Sequence, residues 1–417
     1  MATTTCLQLD ELPKKPANFH RYIFSGASFP FTAVKEEKTN LVSQTAEARQ
    51  SVLLLKGVRE QYTLVKDHSI PTILHPGEIL VKVLAIGLNP IDWKAPAFNF
   101  GIPSLPWING RDLAGLVLQV PRENSRVRVG DIVLVPSTDY RDIRKAAFQE
   151  YAIATDFNAA RIPSSASIHA SASLGVAFVA SVLALGVSFG LDFSILPNLP
   201  GPNLPQIINE LDRDDIPADI IDECYPSRER LQRGDWVAIW GASTTTGLVT
   251  LQLAKLAGLR VICVADAARH GAKLLEFGAD LLVDRHDTNR AVEIIRGVTS
   301  GKLRYAIDIV GKETATLLEK TLDPSEHSHL LGLTGLPKVR NPGIRYHTVP
   351  IKLFHTAPTV GESMVRWLED LLQSNTLTLP EIVRAEGGLE GINAALDLLR
   401  TGSVSGKRIV VGLESES

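Results

Sequence analysis

The residues with the clearest chemical potential form a loop of small and hydroxyl-bearing side chains, residues 241–247 (GASTTTG). The apolar run Trp236–Trp240 precedes this loop, and apolar residues at helical spacing follow it. A buried strand that leads through such a loop into a helix presents backbone N–H groups at the helix N-terminus, where they bind anions. Gly241 permits a tight turn, and Gly247 lets the helix pack closely on the strand. Further donors to a diphosphate are the hydroxyl groups of Ser243, Thr244, Thr245 and Thr246.

The loop is an imperfect glycine motif, because Thr244 stands where a middle glycine is expected. Taken alone, it could be a capped strand–helix turn without a ligand. The pattern that follows favours a nucleotide site, since strand-like and helical segments alternate over residues 260–265, 271–277, 281–283, 289–298, 305–310 and 329–333. This alternation predicts an α/β fold with a doubly wound parallel sheet, which binds dinucleotides at the carboxyl ends of its strands.

Two oppositely charged residues after the second strand leave the identity of the dinucleotide open. Asp266 could accept hydrogen bonds from ribose hydroxyls, as in NAD sites, or it could cap the next helix. Arg269 could instead bind the 2′-phosphate of NADP. The nicotinamide half is expected at backbone groups that follow later strands, namely those of Val310, Gly332, Leu333 and Thr334.

The rest of the chain is predicted to form a second, β-rich domain. We interpret residues 1–47 as an extension, residues 48–190 and 356–417 as the β-rich domain, and residues 191–355 as the nucleotide-binding domain. Residues 197–233 are rich in Pro, Asp and Asn and are expected to form a surface loop with a short helix. Residues 168–191 carry no charge, which predicts a buried helical segment, with a membrane span as the alternative.

Composition argues against several functional classes. The 417 residues include 45% hydrophobic and 21% charged residues, and a net charge of −3 provides no basic excess for nucleic acid or an anionic membrane. The three cysteines, Cys6, Cys224 and Cys263, are far apart, which excludes a disulfide framework and is typical of a reducing compartment. The first residues lack an apolar signal segment and include Asp10 and Glu11, so we expect a cytoplasmic protein.

Several short segments, taken together and in order, resemble the medium-chain dehydrogenase/reductase superfamily over roughly residues 48–415. Besides the Ser/Thr-rich loop, they are residues 89–92 (NPID), 110–115 (GRDLAG), 130–133 (GDIV), 148–151 (FQEY), 277–280 (FGAD) and 406–410 (GKRIV). Within the superfamily, residues 89–94 (NPIDWK), 243–246 and 303–308 look most like the fungal stand-alone enoyl reductases that act in trans with polyketide synthases. The resemblance implies a GroES-like β domain plus a Rossmann domain, with the C-terminal segment returning to the first domain.

The resemblance also bears on metal and cofactor. Zinc-dependent members carry Cys and His–Glu near the positions of Asn89 and Arg111–Asp112, and the different residues found here argue against catalytic zinc. Residues 267–270 match the region that binds the 2′-phosphate, where Arg269 supplies the charge and His270 lies beside it. The resemblance therefore implies NADPH.

Other positions in the resemblance concern the two ends of the cofactor. Ile91 and Lys94 are implied to contact the nicotinamide end. Arg285 stands where close relatives have Tyr near the adenine. Ala180, with Ser181 beside it, stands where zinc-free relatives often carry Thr near the nicotinamide, so the detailed pocket departs from the family pattern.

Without a metal, the simplest reaction is hydride transfer to an electron-poor carbon. With an α,β-unsaturated thioester or ketone, hydride adds at the β-carbon, and the resulting enolate must be stabilised and protonated at the α-carbon. A positioned cation meets both needs, and Lys94 is the first candidate, although the resemblance also allows it to bind the nicotinamide ribose. Asp92 could orient Lys94 or cap the loop, and Tyr346 and His347 could line the cleft or pack within the fold.

We therefore predict an NADPH-dependent reductase of an activated double bond in polyketide or related secondary metabolism. Its substrate is expected to be a small-molecule or carrier-bound acyl compound, with a polyketide synthase as candidate partner and no nucleic-acid or membrane partner. Quinone or ketone reduction on the same scaffold is the nearest alternative. A non-catalytic nucleotide-binding partner that docks on a synthase is an alternative from another class.

Overall fold

A computed structural model describes residues 48–224, 230–325 and 327–413 of the chain. The predicted extension, residues 1–47, lies outside the described residues. The described part contains two large sheets, which belong to two domains, and the chain passes from the first to the second and back again.

The first domain consists mainly of antiparallel strands. Its elements in chain order are β1 (Arg49–Leu55), β2 (Thr63–Ser69), β3 (Glu78–Gly87), α1 (Pro90–Phe98), β4 (Trp107–Ile108), β5 (Asp112–Gln119), β6 (Ile132–Pro136), β7 (Tyr151–Thr155), β8 (Ala160–Arg161), α2 (Ile168–Ser171) and α3 (Gly175–Leu183). A small sheet has the order β2-β1-β4, and a larger sheet joins β3, β5, β6 and β8, with β7 also paired to β3. Apolar side chains from both sheets share one core.

The second domain is built around a parallel sheet. Its elements are α4 (Leu204–Asn209), α5 (Ile221–Cys224), β9 (Trp236–Trp240), α6 (Thr245–Leu256), β10 (Arg260–Ala265), α7 (Ala267–Glu276), β11 (Leu281–Asp284), α8 (Thr288–Val298), β12 (Tyr305–Asp308), α9 (Lys312–Glu319), β13 (Ser328–Gly332) and β14 (Ile344–His347). The strand order is β11-β10-β9-β12-β13-β14, and every pairing is parallel. The order reverses between β9 and β12, and such a reversal is where sheets of this kind bind ligands.

The C-terminal segment returns to the first domain. It comprises α10 (Leu353–Thr356), α11 (Pro358–Gln373), β15 (Ile382–Ala385), α12 (Gly388–Arg400) and β16 (Arg408–Gly412). Strand β16 pairs antiparallel with β3, and β15 pairs parallel with β16. The predicted α/β fold, a β-rich domain plus a doubly wound parallel sheet, is confirmed.

Two segments test predictions about burial. Residues 168–191 form α2, α3 and a π-helical turn, Ala184–Ser188, and most of their side chains are buried, as the apolar composition predicts. Among the described residues, no helix combines the length and the apolar character that a membrane crossing requires.

The prediction of a surface loop for residues 197–233 is wrong for much of the segment, because Leu204, Ile208 and Ile216 are buried in the core of the second domain. Residues 225–229 of that segment lie outside the described residues.

Tyr346 and His347, considered for the cleft, pack at the edge of the parallel sheet. The hydroxyl of Tyr346 lies 2.7 Å from a carboxylate oxygen of Glu319. His347 is fully buried, with one ring nitrogen 2.9 Å from His329 and the other 2.9 Å from Glu223. Their roles are therefore structural.

The buried His329 predicts a loss of stability in mild acid. Burial lowers the pKa of His329 from 6.5 to about 3, so the unfolded chain binds the proton first as the pH falls below 6.5. We expect this histidine to account for about 2 kcal/mol of the unfolding free energy lost between pH 7 and pH 5. Urea unfolding at both pH values should show a smaller loss for His329→Gln than for wild type. The exposed control His75→Gln should keep the wild-type loss, and an equal loss in His329→Gln would refute the assignment.

Candidate active site

The loop between β9 and α6 has the geometry of a phosphate cradle. Gly241 has a φ of 90°, a conformation that favours glycine. The Thr244 hydroxyl accepts a hydrogen bond from the Gly247 N–H at 3.1 Å and donates one to the Gly241 carbonyl at 2.8 Å, so it caps α6. A Cβ at Gly247 would lie 2.5 Å from the Gly241 carbonyl oxygen, so only glycine fits at this close approach.

Three backbone N–H groups at the start of α6 are free to bind an anion. In the described part of the chain, the N–H groups of Ser243, Thr245 and Thr246 make no hydrogen bond. They belong to the N-terminus of a 12-residue helix, where the helix dipole also favours negative charge. The cradle therefore fits the diphosphate of a dinucleotide. The Thr244 hydroxyl, by contrast, is already used as the helix cap.

A cavity of about 470 Å³ opens beside this loop. The predicted cofactor residues that line it are Gly241, Ser243, Thr244, Asp266, His270, Arg285 and Val310. The lining residues that sequence reasoning missed are Trp240, Ala265, His286, Thr288, Thr314 and Ser405. Most of the missed residues lie at or just after the carboxyl ends of β9, β10, β11 and β12. Because sheets of this kind bind ligands at the carboxyl ends of their strands, these positions could have been predicted. Ser405 comes from the C-terminal segment, so both domains contribute to the cavity.

Some charged residues at the cavity cap a helix, and others are placed to contact a ligand. Asp266 lines the cavity and also caps α7, because its carboxylate accepts from the Arg269 N–H at 3.1 Å. Arg269 itself is exposed and does not line the cavity. Arg285 does line it, as does His270, whose ring nitrogen lies 2.9 Å from the Ser405 hydroxyl. Arg285 is therefore the better-placed cation for a 2′-phosphate.

The segments predicted for the nicotinamide half follow β12 and β13. The N–H groups of Val310 and Leu333 already bond to Asp308, at 3.0 Å to its carboxylate and 2.8 Å to its carbonyl. At Gly332 the backbone passes close to the Gly335 carbonyl oxygen, because a Cβ at position 332 would lie 2.4 Å from that oxygen. The N–H groups of Val310 and Leu333 are thus already used within the fold. The cavity is not lined by Gly332, Leu333, Thr334, Thr245, Thr246 or Gly247.

Lys94 and Asp92 lie on α1, for which no helix was predicted. The Asp92 carboxylate accepts from the Asn89 N–H at 2.7 Å and thereby caps α1, and burial raises its pKa to about 7. No contact joins Asp92 to Lys94 within the described residues, so capping is the role that the geometry supports. The Lys94 ammonium lies 5.8 Å from the centre of the Trp93 ring and makes no hydrogen bond or ion pair with a described residue. Ile91, three residues earlier, shares its helix face.

Ala180 and Ser181 belong to α3, which packs on α6. The Ser181 hydroxyl oxygen lies 2.8 Å from the Ala177 carbonyl oxygen and 3.2 Å from the Thr246 carbonyl oxygen, and its one proton is available to either. Ser181 is fully buried, so its hydroxyl ties α3 to the cofactor loop.

Two family models match the chain. The alcohol dehydrogenase GroES-like domain matches residues 75–164, and the zinc-binding dehydrogenase domain matches residues 245–359. The trans-enoyl reductase resD of Aspergillus sclerotiorum is 30% identical over 372 residues, which cover 84% of this chain and 96% of that protein. The chain belongs to the medium-chain dehydrogenase/reductase superfamily.

Further matches agree with this membership. The trans-enoyl reductase mycC of Thermothelomyces thermophilus is 28% identical over 377 residues, covering 84% of this chain and 93% of that protein. An alcohol dehydrogenase superfamily protein from Novosphingobium aromaticivorans has a TM-score of 0.68 at 20% identity, covering 88% of this chain and 100% of that one. The mycobacterial protein Rv1454c, solved in complex with NADPH, has a TM-score of 0.64 at 21% identity, covering 87% and 99%. The predicted oxidoreductase class and use of a nicotinamide cofactor are confirmed.

In this reductase, Asn89 and Asp112 form a buried network at the place where zinc-dependent relatives were expected to carry ligands. The Asn89 amide donates to the Asp112 carboxylate at 2.9 Å, and the Arg408 guanidinium donates to the Asn89 amide oxygen at 2.9 Å. The other Asp112 oxygen accepts from the Val176 N–H at 2.7 Å. These bonds hold the starts of α1, β5, β16 and α3 together, so they fix Lys94 relative to the domain junction.

Proposed function

We propose that this chain is an NADPH-dependent reductase of activated double bonds, of the enoyl reductase type, in polyketide or related secondary metabolism. The observation that carries the proposal is the cradle of free N–H groups at the start of α6, beside the 470 Å³ cavity, in a chain similar to trans-enoyl reductases. The glycines at positions 241 and 247 and the cavity lining fit a dinucleotide. When bound, the cofactor supplies the hydride.

The chain's own residues have separable roles in this proposal. The N–H groups of Ser243, Thr245 and Thr246 bind the diphosphate, and Arg285 binds the 2′-phosphate. Lys94, whose charge no described residue neutralises, stabilises the enolate oxygen and supplies the proton for the α-carbon. Binding of the nicotinamide ribose is the alternative role for Lys94.

The proposed acceptor is an α,β-unsaturated acyl thioester, either free or bound to a carrier. A polyketide synthase is the proposed partner that presents the carrier-bound form, since the chain resembles reductases that act in trans with such synthases. We also propose a cytoplasmic location, which the free, buried thiols of Cys224 and Cys263 support.

The function is tested by following nucleotide oxidation with purified protein. NADPH and NADH are each offered with crotonyl-CoA, with a quinone and with a saturated ketone. We expect oxidation of NADPH with crotonyl-CoA at a rate well above that with the other acceptors. Faster turnover of the quinone or ketone would favour the alternative reductase. Binding of NADPH without oxidation by any acceptor would favour the non-catalytic docking partner.

The choice of NADPH predicts a specific effect of Arg285. Arg285→Ala removes the cation that lines the cavity, so we expect the preference for NADPH over NADH, measured as the ratio of kcat/KM values, to fall about tenfold. Arg290→Ala is the matched control, because Arg290 is an exposed arginine on α8 that pairs with Glu293. An unchanged ratio in Arg285→Ala would exclude Arg285 as the discriminating residue.

A further inference from the structure

Arg111 is a buried cation that no carboxylate contacts directly in the described part of the chain, although Asp92 and Asp139 lie near enough to act on its charge. It is 3% exposed, yet among the described residues it donates no hydrogen bond and forms no ion pair. Other buried arginines do have such partners: Arg126 pairs with Glu369, and Arg408 pairs with Asp112. Since an unpaired buried charge is costly, the guanidinium of Arg111 is expected to be matched by a ligand.

An aromatic ring holds the Arg111 guanidinium. The central carbon of the Arg111 guanidinium lies 3.8 Å from the centre of the Tyr140 ring. Stacking of this kind fixes the plane of the guanidinium but leaves its N–H donors free. The Tyr140 hydroxyl also makes no hydrogen bond with a described residue. Two donor groups, the Arg111 guanidinium and the Tyr140 hydroxyl, therefore have no acceptor among the described residues.

Arg111 lies at the strand ends of the first domain from which α1 and Lys94 also begin. Arg111 immediately precedes β5, whose first residue, Asp112, pairs with the last residue of β3, and α1 with Lys94 follows β3. The Ser137 N–H, just after β6, donates to the Arg111 carbonyl at 2.7 Å. Three loops of the domain thus meet around Arg111.

Helix α3 connects this end to the cofactor loop. The Val176 N–H bonds to Asp112, and the Ser181 hydroxyl bonds to the Thr246 carbonyl. Val176 and Ser181 are five positions apart, which corresponds to about 8 Å of helix. Helix α3 therefore links the strand end beside Arg111 directly to the cofactor loop.

We propose that Arg111, held against Tyr140, binds the carbonyl oxygen of the acyl substrate and shares with Lys94 the stabilisation of the enolate. This inference rests on the proposed function. As a hydride adds to the β-carbon, the carbon–carbon π pair forms a new bond between the α-carbon and the carbonyl carbon, and the carbonyl π pair moves to the oxygen. Arg111 donates two N–H bonds to that oxygen and keeps its protons, while the α-carbon takes a proton from Lys94, which water then restores.

The test uses a variant for which activity and stability should move in opposite directions. Arg111→Met keeps the side-chain length and removes the unpaired charge, so the melting temperature should stay the same or rise. We expect kcat/KM for crotonyl-CoA to fall by about 100- to 1,000-fold, with the Kd for NADPH unchanged within about twofold. The control Arg128→Gln, at an exposed arginine, should match wild type in all three measurements.

Three outcomes would overturn the assignment. Arg111→Met could unfold or melt well below wild type, which would indicate a structural role. It could keep wild-type kcat/KM, which would exclude a role in the reaction. It could bind butyryl-CoA, an unreactive saturated thioester, as tightly as wild type in calorimetry. The last measurement needs no turnover, so it decides the role of Arg111 even if wild type reduces no enoyl thioester and the proposed function fails.

Discussion

Replacement of Lys94 by alanine is expected to lower kcat/KM for crotonyl-CoA by a factor of about 100 to 10,000, the range of a positioned proton donor. The ammonium of Lys94 has no ion pair with a described residue, so its charge is available to a bound anion. Its helix is held in place by the Asp92 cap and by the network of Asn89, Asp112 and Arg408. Loss of this one cation should therefore affect the reaction and leave the fold intact.

The two roles considered for Lys94 predict different kinetics. If Lys94 is the proton donor, its loss lowers kcat and leaves the Kd for NADPH nearly unchanged. If Lys94 binds the nicotinamide ribose, its loss raises the Kd for NADPH by about the same factor by which kcat/KM falls. Steady-state kinetics combined with fluorescence titration of NADPH separates the two. Lys56→Ala, at an exposed lysine, is the control, and wild-type turnover in Lys94→Ala would remove Lys94 from the mechanism.

Replacement of Gly247 by alanine is expected to weaken NADPH binding by a factor of about 10 to 100, because the helix must shift to relieve the contact. The new Cβ would lie 2.5 Å from the Gly241 carbonyl oxygen and 2.6 Å from that of Ala242. Both neighbours are backbone atoms, so no side chain can move aside. The shift displaces the free N–H groups that form the cradle.

Gly297 offers a matched control on another helix of the same domain. A Cβ at Gly297 has open space around it, and the residue lies within α8. Gly297→Ala should therefore keep the wild-type Kd for NADPH and raise stability by about 0.5–1 kcal/mol. Fluorescence titration gives the Kd, and thermal unfolding monitors stability. Wild-type binding in Gly247→Ala would show that this loop is not the phosphate cradle.

The parts of the fold that local pattern determines could be predicted from the sequence. The apolar runs of β9 and β10 are buried on both faces, and their observed bounds, Trp236–Trp240 and Arg260–Ala265, equal the predicted ones. The two glycines of the cofactor loop have the conformation and the close packing that their positions implied. In each case, the signal lies within a few residues of the element itself.

Features that depend on distant partners could not be predicted in this way. Helix α1 begins at Pro90 and contains Pro96, a composition that indicates a loop, yet a buried cap from Asp92 stabilises its start. The insert at residues 197–233 has a loop-like composition, but Leu204 and Ile208 are buried against the hydrophobic core of distant elements. Arg111 stands in a short motif, and nothing in that motif indicates that its guanidinium is buried without a hydrogen bond or ion pair to a described residue.

The central claim is that hydride adds to the β-carbon of an enoyl thioester, and the position of an isotopic label tests it most directly. Wild-type protein is incubated with crotonyl-CoA and with NADPH deuterated at both C4 positions of the nicotinamide, and the product is examined by NMR. We predict butyryl-CoA with one deuterium on the β-carbon and a solvent-derived hydrogen on the α-carbon. Deuterium on the former carbonyl carbon, or a product that carries no deuterium, would contradict the account.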